Sequence, residues 1–184
     1  MKPFRALVFA VSMLASSASF ADFWHGMEAY NTNKFGVAMA EFLPLAERGS
    51  PEAQLMVALL HRHGKGVPVN HQIANAWYRK SASGGNATAQ WSLGGADAHG
   101  AGLPRDLVLA HFLYHLSKEG GDSDAATEFP DMARRMTRQQ IAESDALYAE
   151  WKVGMPIPTN SISGRITSSE TNSGSSGPTR ARSR

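Results

Sequence analysis

Two histidines four residues apart, His111 and His115, fall on one face of any helix that holds them, as paired metal ligands do. A helical zinc peptidase needs a glutamate directly after the first histidine as general base, and here that position is Phe112. Spacing supplies no third ligand, so the pair reads as packing or solvent-facing residues and no metal is assigned. His61 and His63 point in different directions on a helix. His63 and His99 each precede a glycine, where an imidazole suits a helix C-terminus. Gly64-Lys65-Gly66 lacks the spacing of a phosphate-binding loop, and no Gly-x-Ser-x-Gly elbow occurs. The acids are scattered rather than paired. With no cysteine in the chain, thiolate metal sites, a cysteine nucleophile, disulfide staples and a lipidated cysteine are all excluded. No catalytic residue and no cofactor are assigned.

The elements that carry these side chains are organised by a repeat of 36 residues. Ala38, Ala74 and Ala110 keep that spacing, as do Phe42, Tyr78 and Tyr114, and Gly49, Gly85 and Gly121. Each of these glycines is followed by a helix-capping type, Ser50, Asn86 or Asp122, and then by Ala53, Ala89 or Ala125. Gly64-Lys65-Gly66-Val67-Pro68 returns as Gly100-Ala101-Gly102-Leu103-Pro104, and Asn70 as Asp106. Each unit therefore predicts two antiparallel helices. The first runs from its cap to His63 or His99 and ends in the Gly-x-Gly turn. The second starts at the cap Asn70 or Asp106, carries apolar residues at helical spacing and stops at Gly85 or Gly121. Repeated alanines let helices approach closely and the aromatics fill the space between them. One pair cannot bury its apolar face alone, so stacking is required.

The pattern Ala53-Gln54…Gly64-x-Gly66…Ala76-Trp77-Tyr78…Gly85-Asn86…Ala89-Gln90…Leu93-Gly94…Gly100-x-Gly102 resembles the Sel1-like repeat, a relative of the tetratricopeptide repeat. The resemblance covers about residues 26–151 and includes Met136–Trp151, similar to the closing helix of short secreted bacterial members. It implies an all-α solenoid of antiparallel helix pairs over residues 22–152. Two full repeats, at about 50–85 and 86–121, would be capped by 22–35 and 131–152. The sequence departs from the pattern in places. The turn at Tyr30–Phe35 has no Gly-x-Gly loop, and His61 and Asp97 stand where a tyrosine is expected near the end of the first helix.

Aligned on Leu93-Gly94, the family's first helices would direct Leu55, Leu59, Arg62 and Trp91 to the inner face as a peptide- or helix-binding groove. The competing assignment packs the apolar ones as ordinary core. Adaptor work toward a protein or peptide partner is what the resemblance implies. A secreted effector or host-interaction factor is one alternative. A hydrolase is another, as suggested for cysteine-rich relatives that bind penicillin, and the missing cysteines weaken that transfer.

The ends have a different character. Lys2 and Arg5, an apolar run over Ala6–Ala15 and Ser19-Phe20-Ala21 read as a signal peptide over residues 1–21, the apolar run of about ten residues being too short to span a membrane. Export, to the periplasm or beyond it, is the expectation. Residues 153–184, rich in Ser, Gly and Arg, are expected to be a disordered tail, its arginines available for weak contact with an anionic surface. The formal charge of +2 resides in these ends: residues 22–155 hold 12 bases against 15 acids. The fold itself therefore offers no basic surface for specific nucleic-acid binding.

Overall fold

Side-chain oxygens fix where the six described helices from Pro51 onward begin, and glycines fix where several of them end. A computed structural model describes residues 21–161, which contain eight α-helices and no strand. They are α1 (residues 21–31), α2 (Phe35–Glu47), α3 (Pro51–His63), α4 (His71–Ser83), α5 (Ala87–His99), α6 (Leu107–Glu119), α7 (Ser123–Arg134) and α8 (Arg138–Glu150). Ser50, Asn86 and Asp122 accept from the amides of Ala53, Ala89 and Ala125 at 3.3, 2.9 and 3.0 Å. Asn70 and Asp106 do the same for α4 and α6. Thr137 and Gln140 form a reciprocal capping box that starts α8.

The two Gly-x-Gly turns divide their labour. Gly64 and Gly100 close α3 and α5 in the left-handed conformation, at φ 65° and 72°. The second glycine of each turn meets the preceding helix pair. A Cβ on Gly66 would lie 2.8 Å from the Phe35 carbonyl carbon, and one on Gly102 would lie 2.8 Å from the His71 Cβ. The turn thus seats each pair on the one before it.

Polar stitches repeat with the same period. Gln54 and Gln90 donate to the carbonyls of Ala46 and Ala82, tying each first helix to the preceding second helix. Ser81 and Ser117, both fully buried, donate to the carbonyls of Pro51 and Ala87 at 2.6 and 2.7 Å, tying the two helices of a pair. Around these bonds lie three apolar clusters. Phe42, Val57 and Leu60 centre the first, Tyr78, Leu93 and Phe112 the second, and Tyr114 with Met132 the third. Helix α8 does not extend the stack but folds back onto α6.

The expected disordered tail requires correction at its start. Residues 153–161 pack against α4 and the start of α6 as an extended strap. Gly154 donates to the Ser83 carbonyl at 2.7 Å, and Ile157 donates to the Ser83 hydroxyl and is 3% exposed. Sequence reading missed this because Val153, Met155 and Ile157 alternate over only five residues, broken by a glycine and prolines, too short a pattern to mark an element. The remaining tail, 162–184, and the expected signal peptide lie outside the described residues, apart from Ala21, which is helical. Among the described residues no helix is long and apolar enough to cross a membrane.

The division of labour in the turns is testable by urea denaturation. Gly100→Ala, whose Cβ would meet nothing nearer than 3.4 Å, should cost only the left-handed penalty of about 1–2 kcal/mol. Gly102→Ala adds a steric collision and should cost at least about 1 kcal/mol more. Equal costs would show that the second glycine does not seat the pair.

Candidate functional site: an aromatic cleft on the first-helix face

Tyr78 on α4 and Tyr114 on α6 are repeat equivalents, each 1% exposed. Tyr114 can lie flat because α5 offers no side chain beneath it: a Cβ on Gly94 would stand 2.8 Å from its ring. The two tyrosines form the floor of a cleft of about 290 Å³, walled by Arg62 from α3, Trp91 and His99 from α5 and Glu128 from α7. A smaller hollow of about 240 Å³ shares His99, Tyr114 and Glu128 and continues along α7 to Asp131 and Arg135.

Burial pushes the Tyr78 phenol above its ordinary range, although Arg62 and Ser92 facing its oxygen oppose the shift. Burial also raises Tyr114, and the neighbouring Glu128 adds to the effect. Both phenols therefore stay neutral near pH 7 and can act as hydrogen-bonding groups. Apolar contact, one guanidinium, one carboxylate and neutral hydroxyls suit the holding of a polypeptide. They do not form an activated nucleophile with an adjacent base.

Of the residues expected on this face, Arg62 and Trp91 come together in the cleft. Leu55 and Leu59 do not line it. Leu55 packs against the second apolar cluster, and Leu59 bridges the first and second. This corrects the four-residue groove: α3 turns those leucines toward its neighbouring helices and leaves only its last turn at the cleft. Trp91 itself packs on the third cluster, so its ring is both wall and core. Sequence reading missed Tyr78 and Tyr114 as lining residues because their repetition marked them as filling. Glu128 stands in the incomplete third unit and carried no repeat signal.

The histidine pair serves packing. His111 makes a 2.8 Å hydrogen bond to the Ser144 hydroxyl and stacks on Phe129. His115 stacks on Tyr148 with ring centroids 3.7 Å apart. Together they hold α6 against α7 and α8. Burial lowers the basicity of both imidazoles, more than Asp145 raises it. Among the described residues no group of three His, Cys, Asp or Glu side chains is placed to hold a metal ion.

A second titratable group lies away from the cleft. Asp97 on α5 is 2% exposed, and its Oδ2 has no hydrogen-bond partner among the described residues. Burial drives its carboxyl up to about 7, against the pull of Arg79 and with Asp106 adding to the rise.

Stacked antiparallel helix pairs, period-36 glycine turns and a cleft on the first-helix face define an α/α repeat solenoid. Residues 51–86 and 87–122 each match the Sel1 repeat, so the chain carries two Sel1-like repeats in tandem. One similar solved structure is a Sel1 repeat protein from Oxalobacter formigenes. It is 27% identical, with a TM-score of 0.58 over 69% of this chain and 98% of that one. Another is a protective antigen present in uropathogenic Escherichia coli strains, displaying an SLR fold. It is 20% identical, with a TM-score of 0.69 over 98% of this chain and 38% of that one. The present chain thus spans well under half the length of the antigen, and that likeness is one of fold alone. No curated protein sequence matches the chain. Sel1 repeats generally mediate protein–protein interactions.

The buried carboxyl gives a pH dependence of definite sign. Its pKa is raised by folding, from 3.8 to about 7, so the folded state holds the extra proton between those values. The Asp97 contribution is fully present below about pH 4 and is lost as pH rises through 7. Asp97→Asn should therefore match the natural chain at pH 4 and exceed it at pH 8, by a few kcal/mol at order of magnitude. His111 and His115 act in the opposite sense, and they cancel when the two proteins are compared at one pH. An unchanged difference between pH 4 and 8, by urea denaturation, would contradict the assignment.

Proposed function

We propose that this chain is an exported adaptor that holds a segment of a protein partner in the first-helix cleft and helps assemble a complex. One observation carries the reading: the fold brings Arg62 and Trp91, far apart in sequence, against two repeat-equivalent tyrosines in one cleft. A bound segment would set apolar side chains against Tyr78, Trp91 and Tyr114 and an acceptor against Arg62. Export rests on the basic, apolar and small-residue pattern of residues 1–21, with the periplasm as the destination.

A second reading, a secreted effector or host-interaction factor, is prompted by the fold shared with the antigen of uropathogenic Escherichia coli strains. Recovery of the chain from the culture medium rather than the periplasm would favour it.

Replacing Trp91 would disturb the core it packs on, so the test addresses other positions. A photo-crosslinking amino acid placed at Arg62 or at His99 should capture a defined polypeptide in the native envelope, identified by mass spectrometry. The same group at Glu119, an exposed residue of α6 away from the cleft, should not. Equal capture at all three positions would defeat the assignment of the cleft.

A further inference from the structure

Beyond the first-helix cleft, α4 presents a second face, and the chain itself shows what that face binds. The strap over residues 153–161 opens with a turn at 153–154 and contains neither helix nor strand, and only Ile157 and Ser161 in it are buried. It is held largely through main-chain groups. The amides of Gly154 and Ile157 donate to the carbonyl and the hydroxyl of Ser83. The Arg79 guanidinium donates to the consecutive carbonyls of Ile157 and Pro158. The Ser161 amide and hydroxyl both donate to the Asp106 carboxylate, at 2.8 and 2.7 Å.

Two further features mark a receptor rather than plain surface. Asp106 caps α6 through Oδ1 and takes the Ser161 amide on Oδ2, with the Ser161 hydroxyl within reach of both oxygens. Its repeat equivalent Asn70 caps α4 with its single amide oxygen, so the carboxylate is what the strap requires. Beside the strap, a hollow of about 470 Å³ opens between Gln72, Ala76 and Arg79 of α4 and Pro156, Ile157 and Thr159 of the strap. The present occupant leaves this room unused.

We propose that this flank of α4 is a peptide-binding surface, occupied in this chain by residues 153–161 in cis, that accepts an extended segment of like chemistry from another polypeptide. The segment carries an apolar side chain followed by proline, with a hydroxyl residue four positions after the apolar one. The apolar side chain fills the slot of Ile157, and the carbonyls at that residue and the proline meet Arg79. Proline keeps this stretch extended, and the hydroxyl residue reaches Asp106. Because main-chain groups supply most of the bonds, a segment of another chain can replace the strap.

The test uses the full-length protein and a fluorescent peptide of residues 153–161. In the natural chain the strap competes at an effective concentration on the order of millimolar, so the peptide binds weakly. Ile157→Ser empties the slot, and the peptide should then bind at least about tenfold tighter. Replacing the isoleucine of the peptide with aspartate should abolish that gain. Adding Asp106→Asn, which keeps the α6 cap but removes the second acceptor, should weaken binding several-fold. If Ile157→Ser loses its helical circular dichroism, Ser161→Ala serves as receptor in the same comparisons. The proposal fails if a folded variant shows no gain over the natural chain. It fails if the aspartate peptide binds equally, or if Asp106→Asn has no effect. Loss of fold in both variants would make the strap an integral part of the domain and would equally overturn it.

Discussion

Everything in this chain depends on how closely one helix pair can approach the next. Ala53, Ala89 and Ala125 have no exposed surface, and Gly94 yields its side-chain space to the Tyr114 ring. At that separation the buried glutamines and serines reach carbonyls on neighbouring helices, and the second glycine of each turn touches the preceding pair. Larger residues at the contact would force the pairs apart and break all of these bonds together. Without cysteine there is no covalent bond to compensate. The fold is a sum of nearest-neighbour interfaces, each asking the same small residues of the sequence.

The same spacing makes the cleft. Tyrosines that fill the gap between helices from behind become its floor when seen from the first-helix side. The fold and the candidate site therefore share atoms. Tyr78, Tyr114 and Trp91 stabilise the stack and shape the surface at once, and only Arg62, His99 and Glu128 are free of heavy packing duty.

What the sequence made legible follows from this periodicity. Caps, turns, alanines and aromatics recur every 36 residues because each repeat solves the same packing problem, and their places in the structure match that reading. Features that occur once were hidden. Glu128, the strap and the burial of Asp97 depend on where the array ends and what folds back over it, and no local pattern encodes that. Leu55 and Leu59 misled for the opposite reason. They occupy positions that a family alignment turns toward a groove, but the helix as built directs them between clusters. His111 and His115 sat at ligand spacing, yet the aromatic rings that claim them, Phe129 and Tyr148, lie on helices whose approach spacing alone does not reveal.

The strap also has a mechanical meaning. Repeat solenoids behave as springs, because small rotations at successive interfaces add up along the stack. Here a non-helical tie runs from Ser83 at the end of one repeat to Asp106 within the next. It spans that joint on the flank of α4 that carries Arg79 and Ser83, next to the cleft, and no comparable tie crosses the joint between α2 and α3 among the described residues. Bending should concentrate at the untied joint, leaving the stretch that carries Tyr78, Trp91 and Tyr114 as the stiff half of an unevenly elastic body.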